Sequence, residues 1–155
     1  MRQLDRTDRK ILAILQEDSS LAVADIATRV GLSQTPCWRR IQRLRADGVI
    51  ERTVSLVLPE AVGLGLTVFI MIEALDHSPE WLNRFTAAVS AMPEVMEVHR
   101  MAGDIDYLLR VAVADMAAFD AFYRELIKAV PLKNVSSHFA MERVKASTAY
   151  PIATA

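Results

Sequence analysis

The feature that most constrains the fold is the order in which hydrophobic periodicity changes along residues 66–146. Residues 66–75 form a nearly continuous apolar run, the pattern of a central strand. Residues 80–92 switch to helical spacing, with Trp81, Phe85, Ala88 and Met92 on one face. Residues 95–101 and 107–113 read as strands joined by Ala102-Gly103-Asp104-Ile105-Asp106. A second helix over 115–130 turns Met116, Phe119, Tyr123, Leu126 and Val130 inward, and 135–146 is the last strand. The order β-α-β-β-α-β predicts a ferredoxin-like split βαβ sheet with both helices on one face. The other sheet face then needs a cover, and self-association is the simplest one.

The preceding residues are organised differently. Asp5 can cap a first helix carrying Ile11, Leu12, Ile14 and Leu15, with Asp8 three residues on reinforcing its positive end. A short helix over 23–30 has Ile26, Ala27 and Val30 inward. After Gly31-Leu32-Ser33, a third helix over 34–46 has Cys37, Ile41 and Leu44 at helical spacing. Ser33 is placed to cap it, Pro36 suits its first turn, and Gly48 is placed to end it. Residues 49–58 are β-branched and alternating, which predicts one or two strands. Glycine and proline punctuation divides the chain into a helical domain over 1–58, a linker over 59–65 and an α+β domain over 66–155.

Two short helices about a glycine-containing turn, the second rich in arginine, describe a helix-turn-helix. From Arg29 to Arg45 there are five arginines and no acid, a run suited to neutralising phosphates. Net charge supports the division: residues 1–58 carry +3 and residues 59–155 carry −4. The candidate DNA-binding residues are Ser33, Gln34, Thr35, Trp38, Arg39, Arg40, Arg43 and Arg45. Gln34, Thr35, Trp38 and Arg39 are placed to read base edges. The partner this implies is double-stranded DNA.

Other classes lose support. The single cysteine, Cys37, permits no intrachain disulfide and suits a reducing compartment, and it reads as a small core hydrophobe. Charges crowd the first ten residues, unlike a signal peptide, and the apolar run from Leu64 ends at Glu73, far short of a membrane span. A cytoplasmic protein is expected. Spacing reveals no nucleotide loop, nucleophile arrangement or zinc motif, and Gly63-Leu64-Gly65 precedes a strand instead of following one, so no enzyme, cofactor or metal is expected. His77, His99 and His138 do not form a ligand spacing.

Leu4-Asp5-Arg6-Thr7-Asp8, Val30-Gly31-Leu32-Ser33, Thr35-Pro36-Cys37, Gly48-Val49-Ile50 and Gly103-Asp104-Ile105-Asp106-Tyr107-Leu108-Leu109 resemble the Lrp/AsnC family. The resemblance spans Leu4 to about Ala149 and runs in the family's order in both modules. It implies a transcriptional regulator with a winged helix-turn-helix on a RAM-type effector and oligomerisation domain. Dimers assembling to octamers, and a small amino acid bound between subunits, are further implications. Ala22 departs from the family pattern, standing where a polar cap of the second helix is common.

An amino acid's ammonium group needs a carboxylate, and its carboxylate needs N–H donors such as a tight turn offers. Met101, Gly103, Asp104, Asp106 and Tyr107 of the inter-strand loop are the candidate effector-binding residues. By the same resemblance, Ser136, Ser137 and His138 of a neighbouring subunit's last strand complete the pocket. The details look closest to a branch that senses cysteine or related sulfur amino acids, while an apolar amino acid fits the residues equally. An effector-independent DNA-architectural protein of the same fold is the alternative that remains open.

Overall fold

In the computed structural model, which describes residues 3–154, a reciprocal cap starts the first helix. The Asp8 N–H donates to the Asp5 carboxylate at 2.8 Å, and the Asp5 N–H donates back to Asp8 at 3.4 Å. This opens α1 (Arg6–Glu17). Helix α2 (Val23–Val30) starts at Ala22 with no side-chain cap, and ends at Gly31, whose φ of 72° lies in the left-handed region that glycine adopts without strain. Helix α3 (Gln34–Ala46) starts after Ser33, which makes no side-chain cap bond, contrary to expectation. The reason is local: an N-cap oxygen commonly accepts from the third helical residue, and here that residue is Pro36, which has no N–H.

These three helices close on Ile11, Ile26, Cys37, Ile41 and Leu44, all buried. Burial pushes the Cys37 thiol pKa up, away from the reactive thiolate, as suits a core residue.

Two expectations fail in this part of the chain. Residues 49–58 form no strand among the described residues. Alternation indicates which side chains can share a face, but a strand also needs a second one to take its N–H and C=O groups, and none lies alongside. Val54, Leu56, Val57 and Leu58 are left exposed. The last strand also ends at Phe139 instead of continuing to residue 146.

By its contacts the segment from Val144 onward belongs with the helical unit, which runs through Ser55, while Leu56–Arg143 forms the other unit. The Gln16 amide donates to the Tyr150 carbonyl at 2.7 Å and accepts the Tyr150 N–H at 2.9 Å. Ile152 packs against the helical core. A domain drawn at 66–155 therefore differs from this division at its C-terminal end, and Met1, Arg2 and Ala155 of the expected domains lie outside the described residues.

The second unit consists of β1 (Leu66–Ala74), α4 (Pro79–Ala91), β2 (Val95–Arg100), β3 (Tyr107–Val113), α5 (Met116–Ala129) and β4 (Leu132–Phe139). The strands lie in the order β2-β3-β1-β4 with antiparallel neighbours, the split βαβ arrangement expected. The period of two then sorts every side chain to one face. Val68, Ile70 and Ile72 of β1 and Leu109 and Val111 of β3 are fully buried with Phe85, Val89, Phe122 and Leu126 of the helices. Val89 and Phe122 were not among the expected inward residues. Met116 was, yet it is exposed, because it is the first helical residue after the Asp115 cap and lies beyond the sheet-facing stripe. The opposite face carries Phe69 and Met71, paired in register with Arg110 and Leu108 on one side and with His138 and Ser136 on the other.

Candidate functional site: the recognition helix and the Gly103 loop

At about 100° per residue, a helix of thirteen residues sorts its side chains into clear flanks. Cys37, Ile41 and Leu44 take the buried stripe of α3. Ser33, Gln34, Thr35, Trp38, Arg39 and Arg45 are all exposed, and Trp38 keeps 51% of its surface in water. An exposed tryptophan beside two exposed arginines is an unusual use of surface unless something covers it.

Arg40 and Arg43 are placed differently from the rest. Arg40 Nη1 lies 2.6 Å from Asp5 Oδ2 and 2.8 Å from Asp8 Oδ1. Arg43 Nη2 donates to both Asp8 oxygens, at 2.8 and 2.9 Å. Asp8 is the buried charged residue of the chain among those described, with 3% exposure. The two arginines that sequence spacing assigned to phosphate thus carry an internal ion-pair cluster. Sequence reasoning missed it because the partners stand 32 and 35 positions apart; only the Asp5–Asp8 spacing was visible, and it signals a helix cap.

The Arg40 guanidinium, hydrogen-bonded to Asp5, holds that carboxyl below its usual range. A group with a lowered folded pKa contributes stability that is present above its ordinary pKa and lost as pH falls through the lowered one. Asp5→Asn keeps a capping oxygen but no titratable charge. Its stability is therefore expected to fall less steeply than wild type below about pH 4 in urea melts, and an identical pH profile would rule out this pairing.

In the second unit the loop between β2 and β3 holds Gly103 at φ 135°, a left-handed conformation costly for any residue with a Cβ. Asp106 is anchored at the loop's end. Its carboxylate accepts the Ala74 N–H at 2.7 Å, its own N–H donates to the Ile72 carbonyl at 2.9 Å, and its carbonyl accepts the Met101 N–H at 2.8 Å. The remaining Asp106 oxygen lies 3.9 Å from His77 Nε2. Beside it Glu73 pairs with Lys133 at 2.8 Å and accepts from Asn134 at 3.1 Å. Lys133 foremost, with Asn134, holds the Glu73 carboxyl below its usual range.

Met101 and Asp104 are exposed beside this anchored carboxylate. Tyr107 is not available to a ligand: it is buried against Phe85 and Trp81, with ring centroids 4.6 and 5.8 Å apart. Its assignment as an effector contact is corrected to a core residue that supports the loop, because register pairs it with Ile72 on the helix-facing side.

Ser136, Ser137 and His138 pair with Met71, Ile70 and Phe69, further along the sheet from the loop. Ser136 and His138 share the open face, while Ser137 points to the helix side with Ile70. Within one chain these residues lie on the β4 side of β1, whereas the loop lies at its β3 side. Two hollows of this chain lie away from both, one beside Asp8 and Arg43 and one between α4 and α5. His77, His99 and His138 stand apart, and no three metal-ligating side chains gather among the described residues.

A helix-turn-helix with an exposed, basic third helix, joined to a ferredoxin-like unit with an anchored Gly-Asp-Ile-Asp loop, defines a DNA-binding transcriptional regulator with a sensory domain. Comparison with known proteins agrees on both parts. Residues 4–51 match the winged helix-turn-helix DNA-binding family, and residues 67–150 match the Lrp/AsnC ligand-binding domain. The DNA-binding transcriptional activator DecR of Escherichia coli K12 is 50% identical over 150 residues, covering 96% of this chain and 99% of that one. The crystal structure of an AsnC family transcriptional regulator from Agrobacterium tumefaciens is 58% identical with a TM-score of 0.92, covering 96% of this chain and 97% of that one. A transcriptional regulator of Neisseria meningitidis, solved in complex with L-Met, is 34% identical with a TM-score of 0.91 over the same shares. The chain belongs to the Lrp/AsnC family of transcriptional regulators. No helix of the described residues is long and apolar enough to cross a membrane.

Proposed function

We propose that this regulator binds DNA through the exposed face of α3 and changes its DNA binding or assembly when a small amino acid occupies the Gly103 loop. Gln34, Thr35 and Trp38 read base edges; Arg39, placed by the sequence among the base readers, is exposed like Arg45, and we assign both to phosphate. The observation that carries the reading is the placement of Asp106, whose carboxylate is fixed to the sheet by the Ala74 N–H yet remains part-exposed beside Gly103. A fixed carboxylate suits a ligand's ammonium group, and the loop's backbone suits its carboxylate.

The ligand is an apolar or sulfur-containing amino acid, methionine and cysteine foremost. The L-Met complex of the Neisseria regulator supports that class. A neighbouring copy supplies Ser136, Ser137 and His138, because one chain does not bring them to the loop. That copy also covers the open sheet face with Phe69 and Met71, giving a homodimer that assembles to octamers. Such a regulator works in the cytoplasm, where the operator DNA is.

Thermal melts with each of the twenty amino acids test the ligand. One at 100 times its Kd stabilises the native state by about 2.7 kcal/mol. Asp106→Asn keeps an oxygen for the Ala74 N–H but loses the charge. It is expected to abolish that stabilisation while leaving ligand-free stability within about 1 kcal/mol. A variant that responds like wild type would place the ligand elsewhere.

A further inference from the structure

On α3 the exposed Arg45 and Trp38 lie about 80° and 100° around the axis from Cys37, and Thr35 and Arg39 lie at about 160° and 200°. Arg40 and Arg43 lie at about −60° and −120°, on the flank between the core stripe and Arg39. The core stripe of Cys37, Ile41 and Leu44 is narrow, and a narrow apolar stripe alone permits a helix to roll. The Asp8 carboxylate removes that freedom. It is buried, held by the cap of α1, and engages Arg40 and Arg43 from the flank of α3 next to the core.

From this geometry we infer that Asp8 is a positioning residue for DNA recognition: it withdraws Arg40 and Arg43 from phosphate and uses them to set the rotation of α3. Asp5 completes the neutralisation, so two arginines face two carboxylates and the cluster exposes little net charge to DNA. The basic run is thereby divided by function. Arg39 and Arg45 contribute counterion release, and Arg40 and Arg43 contribute orientation.

The inference rests on α3 being the recognition helix, and salt dependence separates the two ideas. For each copy bound to the duplex, a phosphate contact adds about 0.9 to the slope of log K against log salt concentration. The probe is a duplex recovered by the purified protein from a random pool, compared with a scrambled duplex. Arg43→Gln is expected to lower the preference for the recovered duplex by roughly tenfold, a loss in the range of one misread base pair, with the salt slope unchanged. Arg43→Lys restores part of that preference. Arg39→Ala is expected to reduce the slope by about 0.9 per copy.

A slope that falls by about 0.9 per copy with Arg43→Gln, at unchanged preference, would overturn the inference and make Arg43 a phosphate contact. No effect of Arg39→Ala on affinity or slope would instead overturn the recognition-helix assignment. Should Arg43→Gln fail to fold, Arg40→Gln makes the same test through the other arginine that Asp8 holds. For it, lower preference at constant slope supports the inference, and an unchanged preference contradicts it.

Discussion

Phe85→Ala is expected to lower the unfolding free energy of the sheet unit by about 3–5 kcal/mol. Phe85 is 1% exposed, stacks on Trp81 with centroids 5.0 Å apart and touches Tyr107 at 4.6 Å. Truncation therefore removes the ring's own burial and leaves a cavity that its aromatic neighbours cannot close without leaving their places. Trp81 cannot easily follow, since its Nε1–H donates to the Pro131 carbonyl at 2.7 Å. Urea melts followed by Trp81 fluorescence in a Trp38→Phe background measure the effect. A loss below about 1 kcal/mol would mean that α4 does not pack as described.

The second large effect concerns DNA. Replacing both Arg39 and Arg45 with alanine is expected to reduce the salt slope of DNA binding by about 1.8 for each recognition helix on the duplex, and to weaken binding at least about tenfold near physiological salt. Both side chains are exposed, and no ion pair within the chain occupies either among the described residues. Fluorescence anisotropy over a salt series reads both quantities. An unchanged slope would remove α3 from the DNA interface.

The split βαβ order was legible because each element changes period within a few residues, from the apolar run of Tyr107–Val113 to the helical spacing of Phe119, Tyr123 and Leu126. Helix ends were legible where the cap chemistry is local, as at Asp5 and Gly31. Misreadings arose where the outcome depends on a distant partner. Residues 49–58 look like strands but have nothing to pair with, and the apparent strand beyond Phe139 becomes a segment held by Gln16 and the helical core.

The candidate site follows the same rule. Thr35, Trp38 and Arg39 face outward as helical phase requires, and Gln34 is exposed as the first residue of α3. Arg40 and Arg43 looked identical to Arg39 in sequence, yet Asp8, buried in another helix, takes them. Tyr107 sits next to Asp106 in sequence but is buried on the helix-facing side of the sheet. No local pattern reports on either.

The most direct measurement is DNA affinity by anisotropy, on a duplex recovered from a random pool, with and without each of the twenty amino acids. At least one, of the apolar or sulfur-containing kind, is expected to change the affinity by roughly 5-fold to 150-fold, and to lose that effect in Asp106→Asn. If all twenty leave affinity and assembly unchanged at millimolar concentration, the amino-acid-responsive reading is contradicted and an effector-independent DNA-architectural protein takes its place.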